Sequence, residues 1–176
     1  MNAKEQIKNF IINDISKDNI NAIIKNNKVN QEMIDLLWKI SISNVHPQSW
    51  RAAWMLFHLL NNSNKEYIRP YLDQMLDLLN TFTHNGQKRE IMKIILLFDV
   101  EEIEMGKAVN ICFKILLNSK EALAVRVHAM QIIFNISIIE PELKSELKDV
   151  LKIIIQEDSP ALRGRGRILL KKLKKN

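Results

Sequence analysis

The potential metal ligands and nucleophiles of this 176-residue chain include four histidines and a single cysteine, and their spacing favours neither a metal site nor catalysis. The sequence has no His-Glu-x-x-His pair, and Cys112 has no second cysteine with which to form a zinc cluster or a disulfide. The glycine motifs of phosphate-binding loops and of hydrolase nucleophile elbows are also absent. We therefore expect no catalytic residue, no metal and no cofactor. The lone thiol suggests a reducing, cytoplasmic compartment.

Four arginines recur at a nearly constant spacing of 38, 37 and 37 residues. They are Arg51, Arg89, Arg126 and Arg163. Five positions before each arginine stand, in order, His46, His84, Glu121 and Asp158. In one interpretation, the arginines bind these residues, or loop carbonyls of their own or the adjacent unit, and form a structural ladder. In the other, the arginines contact an acidic partner, and their i+4 neighbours Met55, Lys93, Met130 and Arg167 extend the same surface.

The elements that carry these residues are predicted to be helices. Apolar residues recur at three- and four-residue steps, as in Leu72, Met75, Leu76 and Leu79. Four glycines and four prolines are too few to punctuate an all-β fold. The pattern predicts helices near 3–15, 18–26, 30–43, 47–61, 65–82, 86–98, 101–117, 121–138, 141–156 and 160–174.

A helix pair of about 37 residues cannot bury its apolar faces alone, so the repeated spacing predicts units that stack on their neighbours. We expect an all-α superhelix of about five helix pairs that forms a single domain, 1–176, and we expect the protein to be a monomer. The predicted units are an N-terminal pair of capping helices, 1–29, and the repeats 30–62, 63–99, 100–138 and 139–176.

The segment Asp158-Ser159-Pro160-Ala161-Leu162-Arg163, followed by Gly166, resembles the second helix of HEAT repeats. Residues 124–129 are a second match, and the resemblance covers roughly residues 30–174. It implies a binding scaffold, because HEAT arrays mostly bind other molecules. The first two units depart from the pattern, since His46 and His84 replace the acid and Trp54 and Met92 replace the small residue.

The net charge of +6 is concentrated at the C-terminal end. Residues 160–176 carry seven cations and no acid, which leaves a charge of −1 for residues 1–159. Arg163, Arg167, Lys171 and Lys175 lie at four-residue steps, so they share one side of a helix. This stripe is either a polar cap that keeps the last repeat soluble, or a contact for an acidic protein, a nucleic acid or an anionic surface.

Three tryptophans, Trp38, Trp50 and Trp54, invite comparison with a base-stacking platform. The alignment of Trp50 and Trp54 with Val125 and Ala129 instead predicts that they pack in the core. We expect a non-enzymatic scaffold that binds a protein or peptide. The alternative is a nucleic-acid-binding helical-repeat protein, and a relation to HEAT-like DNA alkylation-repair glycosylases would make Asp35, Trp38 and Trp50 stand in for the functional residues. No apolar run is long enough for a signal peptide or a membrane span.

Overall fold

The computed structural model describes residues 3–13, 16–26, 28–157 and 159–175, which form helices and connecting turns without a β-strand. This confirms the all-α prediction. The α-helices are α1 Ala3–Asn13, α2 Lys17–Asn26, α3 Gln31–Ser41, α4 Gln48–Leu59, α5 Leu72–Leu78, α6 Asn85–Ile95, α7 Met105–Leu117, α8 Leu123–Ile139, α9 Leu143–Ile154 and α10 Pro160–Leu173.

Several helices begin where side-chain oxygens satisfy the first backbone N–H groups. Asn30 accepts a hydrogen bond from the Met33 N–H at the start of α3. Ser159 does the same for the Leu162 N–H at the start of α10, and Pro160 occupies the first helical position. The sequence signal at Ser159-Pro160 therefore located this helix start correctly.

The continuous helix predicted over 65–82 is wrong. Residues Lys65–Tyr67 and Arg69–Tyr71 form two short 3-10 turns, and α5 is only seven residues long. Pro70 explains the break, because it lacks a backbone N–H and disfavours helical geometry in the residue before it. Another 3-10 turn, Val100–Glu102, precedes α7, which begins later than predicted.

The helices form two compact units, residues 1–97 and 98–176. In the first unit, α4 packs between α3 and α6 and also contacts α1 and α2. In the second unit, α8 packs against α7, α9 and α10, and α9 packs against α10. Contacts of a helix with its neighbour and with the next helix but one are the pattern expected of helical repeats.

Helix α8 is apolar on nearly all sides because other helices surround it. Val125, Ala129 and Ile133 are inaccessible to solvent, and Ile136 is equally buried. The β-branched residues of this segment do not prevent a helix, since burial against three other helices outweighs their modest helix propensity.

Candidate binding surface

Four aromatic side chains lie along one side of α4 and remain partly accessible to solvent. They are Trp50, Trp54, Phe57 and His58, and all four are half-buried. Their spacing of four, three and one residues places them on one side of the helix. The opposite side carries the core residues Ala52, Leu56 and Leu59, each fully buried. The helix therefore has an aliphatic core side and an aromatic outer side.

Three of these rings form contacts within α4, and the fourth, that of Trp50, stacks on a histidine that precedes α6. The Trp54 and His58 ring centroids are 4.4 Å apart, and those of Phe57 and His58 are 5.2 Å apart. The Trp50 indole stacks on the His84 imidazole at 5.4 Å, with the planes inclined by only 13°. These contacts hold the rings in a defined arrangement.

Helix α6 adds two cations and one acid beside these rings. Glu90 is almost fully buried; its Oε1 lies 2.8 Å from Arg89 Nη2 and its Oε2 lies 2.6 Å from Lys93 Nζ. The Lys93 ammonium also lies 3.7 Å from the centroid of the Phe57 ring, a cation–π contact between α6 and α4. We call the set Trp50, Trp54, Phe57, His58, Arg89, Glu90 and Lys93 the α4–α6 face.

The surroundings of His58 favour its uncharged form. Burial lowers its pKa below the ordinary value of 6.5, and the positive charge of Lys93 lowers it further. In this form the imidazole contributes aromatic surface and hydrogen-bonding nitrogen atoms to the α4–α6 face without adding a positive charge.

The predicted ladder residues His46 and His84 form hydrogen bonds with residues near the starts of α4 and α6, and these bonds do not involve the arginines. His46 forms hydrogen bonds with Thr83 Oγ1, at 2.8 Å, and Ser49 Oγ, at 2.6 Å. His84 Nδ1 accepts the Gly86 N–H at the start of α6, and its ring lies 5.1 Å from that of His46. Burial, His46 and Arg89 lower the pKa of His84. Both histidines thus stabilise the turns that precede α4 and α6.

Arg51 does not extend towards a partner, because it is used inside the first unit. Its Nη1 donates to the carbonyl oxygens of Ile11 and Ile12, at 3.0 and 2.7 Å. These carbonyls lie in the last turn of α1, where backbone oxygens lack helical partners and attract a positive charge. Arg51 therefore anchors α1 to α4.

Arg126 is buried, which excludes it from a binding surface and corrects its assignment to partner binding. Its Nε donates to the Leu116 carbonyl at 2.8 Å, and its two terminal nitrogens bind the Glu157 carboxylate. The acid that it engages is therefore Glu157, from the following repeat, instead of Glu121. The Glu121 carboxylate accepts the Ala122 N–H at 3.3 Å.

The remaining predicted partner-binding residues differ in exposure. Arg89 is exposed on the α4–α6 face, whereas Arg167 and Lys171 are exposed on α10 and Lys175 is exposed just after it. Arg163 is half-buried, and Asp158, the ladder position before it, lies outside the described residues. The row of arginines thus places one residue on the α4–α6 face and uses two others inside the fold.

Sequence reasoning missed the α4–α6 face because it assigned Trp50 and Trp54 to core positions. Both are half-buried, whereas Val125 and Ala129, at the equivalent positions of α8, are fully buried. The methionines Met55 and Met130, expected to extend a recognition surface, are also fully buried. The signal that would have located the face is size: an indole cannot occupy a slot built for alanine.

Residues proposed for the glycosylase alternative do not meet on one surface. Trp38 is only 2% exposed and donates its indole N–H to Gln74 Oε1 at 2.9 Å. Asp35 accepts a hydrogen bond from the Tyr71 hydroxyl at 2.5 Å, which raises the pKa of that phenol to about 12.

The single cysteine, Cys112, is buried, and burial raises the pKa of its thiol to about 12.

In the ranges that the structure describes, no group of three or more histidine, cysteine or acidic side chains is arranged to hold a metal ion. Among the same residues, no helix combines the length and apolar character needed to cross a membrane.

Comparison with known proteins agrees with the repeat architecture. No curated protein and no solved structure matches the chain. A family model for the HEAT repeat domain matches residues 7–173, which is nearly the whole sequence. Together with the neighbouring helix-pair contacts and the repeated spacing of the arginines, this match shows that the chain belongs to the HEAT-repeat family.

Proposed function

We propose that this HEAT-repeat protein is a non-enzymatic binding protein that engages a protein or peptide partner through the α4–α6 face. The observation that carries the proposal is the partial exposure of large aromatic side chains of α4 at positions whose equivalents in α8 are buried. Trp54 stands where α8 has the fully buried Ala129, and half-buried Phe57 stands where α8 has Ile132, 1% exposed.

Partly exposed aromatic side chains fit a protein interface. Tryptophan, phenylalanine and arginine are enriched at the centres of interfaces, where a few such residues supply most of the binding free energy. Trp54 and Phe57 already contact the His58 ring at 4.4 and 5.2 Å, and Trp50 is stacked on His84 at 5.4 Å. Binding would therefore cost little side-chain entropy, because the rings are held in place before a partner arrives.

The charges on this face suit a peptide better than a nucleic acid. Glu90 neutralises one of the two cations that bind it, Arg89 and Lys93, so these three residues together carry one net positive charge. That balance matches a single carboxylate beside an apolar side chain. The many phosphates of a duplex would require a row of cations that Glu90 does not oppose.

We infer no catalytic role for Asp35, Trp38 and Trp50, the residues of the glycosylase alternative. A glycosylase mechanism would need Asp35 and the tryptophans on one accessible surface. The Asp35 carboxylate is bound by Tyr71 and Gln31, and Trp38 is in the core. These contacts favour a binding function over the enzymatic alternative.

The proposal can be tested by selecting peptides from a random display library on the purified protein. We expect the selected peptides to combine an acidic residue with an aromatic or aliphatic one. Trp54→Ala and Lys93→Glu should each weaken binding of the best peptide on the order of tenfold, because they remove a buried ring contact or reverse a charge.

The matched control is Lys39→Glu, which makes the same charge change at an exposed position of α3. It should leave the dissociation constant unchanged within about twofold, since exposed charges far from a contact are screened by salt. Failure to select any binding peptide, or equal binding by wild type, Trp54→Ala and Lys93→Glu, would overturn the proposal.

A further inference from the structure

The segment 160–175 exposes most of its cations to solvent and brings two of them close to α8. Arg165 Nη2 donates to Gln131 Oε1, and the Lys172 ammonium lies 5.9 Å from the Phe134 ring centroid. Besides Lys172, which is exposed as well, the exposed cations are four residues: Arg167 and Lys171, on α10, and Lys174 and Lys175, in the turn that follows it. Arg167 and Lys171 are one helical turn apart and so lie on the same side of α10, and Lys174 and Lys175 follow directly at its C-terminal end. We call these four residues the α10 basic face.

The α10 basic face is held rigidly because the other side of the helix is fixed in the core. Leu162 and Leu169 are fully buried, and Leu173 is 1% exposed. Gly166 permits close packing on α9, since a Cβ atom there would lie 2.8 Å from the Ile155 Cγ2 atom. Gly164 lies on the outward side, where an added Cβ would meet no atom within 4 Å. A ligand can therefore approach the backbone closely beside the cations.

The charge of this helix is not balanced from within. The segment 160–176 has no acidic residue, and Glu157, which precedes it, is committed to Arg126. The Arg126 hydrogen bonds also hold the pKa of the Glu157 carboxyl below its usual value, so its charge is retained in that pair. The four cations of the α10 basic face are exposed and therefore accessible to an external anion.

We propose that the α10 basic face binds the phosphate backbone of nucleic acid without reading its sequence. This site is separate from the α4–α6 face and goes beyond the peptide-binding function proposed above. Lysine and arginine contacts to phosphates release condensed counterions, which drives binding even when no base is contacted. Two cations on α10 and two in the turn that follows it supply the row of charges that such binding needs.

The composition of the face favours nucleic acid over a protein or a membrane. A protein interface has an aromatic or apolar centre, but Ile168 is the one large apolar residue strongly exposed on α10 among the residues described. Membrane-adsorbed helices insert an apolar side into the lipid, whereas the leucines of α10 are already committed to the core. Phosphate binding requires only the outward cations.

The test is a titration of the full chain against a fluorescently labelled duplex at several salt concentrations. Four phosphate contacts predict a slope of about −3.6 for log affinity against log salt, or roughly a 100-fold loss between about 50 and about 200 mM. Lys171→Glu/Lys175→Glu should reduce the slope to about −1.8 and weaken binding at low salt by at least tenfold. Circular dichroism and the melting temperature establish that this variant remains folded.

The matched control, Lys25→Glu/Lys39→Glu, makes the same change of net charge at exposed positions of α2 and α3. It should retain most of the affinity and the original salt slope. No binding at low salt, or equal weakening by both double variants, would overturn the proposal. Tighter binding to an acidic polypeptide or to anionic lipid vesicles than to the duplex would overturn it as well.

Discussion

Arg126 of α8 and Glu157, which follows α9, form a two-bond ion pair at 2.7 and 2.6 Å. The arginine side chain is 2% exposed and the carboxylate 33% exposed. The pair joins two successive repeats, because Glu157 belongs to the repeat that follows that of Arg126. A third bond from Arg126 reaches the Leu116 carbonyl at the end of α7, within its own repeat. Such a bidentate, charge-assisted contact fixes both orientation and distance.

Replacement of this arginine should strongly destabilise the protein. Arg126→Ala leaves the Leu116 carbonyl and the Glu157 carboxylate without their partner, so we expect a loss of about 2–3 kcal/mol in the free energy of unfolding. Glu157→Gln retains an acceptor for the guanidinium and should cost less, about 1 kcal/mol. Urea denaturation monitored by circular dichroism measures both. An unchanged midpoint for Arg126→Ala would show that the pair does not stabilise the fold.

The stability of the protein should decrease as the pH falls below about 6.5. Burial, His46 and Arg89 lower the pKa of His84, so the folded protein binds this proton less tightly than the unfolded chain does. The free energy of unfolding is therefore highest above the unfolded-state pKa and decreases until the pH reaches the lowered folded-state value. Protonation would also abolish the acceptor that Gly86 uses at the start of α6.

A titration-silent variant isolates this contribution. His84→Asn keeps a side-chain oxygen that can cap α6 but cannot be protonated in this range. Unfolding curves between about pH 7.5 and 5 should show a weaker pH dependence for the variant than for wild type. Some dependence should remain, because burial and Lys93 lower the pKa of His58 in the same direction. Identical pH profiles would rule out His84 as a source of acid sensitivity.

The two glycines of α10 should respond oppositely to the same substitution. Gly166→Ala places a Cβ atom 2.8 Å from Ile155 Cγ2 and should cost about 1–2 kcal/mol through overpacking. Gly164→Ala meets no atom within 4 Å and should gain about 0.5–1 kcal/mol from helix propensity. Thermal melts of both variants test the packing of α10 on α9. Equal increases in melting temperature would contradict it.

The fold was largely predictable because the helical periodicity and the repeat spacing can both be recognised from the order of residues along the chain. The repeated spacing even located Arg126, although it could not identify the partner. Glu157 and Asp158 are adjacent acids, and which of them reaches the guanidinium depends on how the chain leaves α9. Arg51 was similarly located without its role, since its partners lie in α1, outside the repeated pattern.

The binding surface was less predictable, because an alignment by period carries no information about depth. Trp50 and Trp54 align with buried residues of α8, and their bulk moves them to the surface in α4. The contact between Lys93 and Phe57 also depends on the packing of α6 against α4. Side-chain volume at each repeat position, considered together with spacing, is the sequence signal that would best predict which aromatic residues remain exposed.

The central claim, that a peptide binds the α4–α6 face, is tested most directly by the indole N–H signals of the three tryptophans in NMR spectra. Trp54 and Trp50 lie on the face, whereas the Trp38 indole is bound to Gln74 in the core and is an internal control. Titration with a peptide selected on the wild-type protein should shift the Trp54 signal, and to a lesser extent that of Trp50, while the Trp38 signal stays in place. Saturation of binding with the Trp54 and Trp50 signals unmoved would contradict the account.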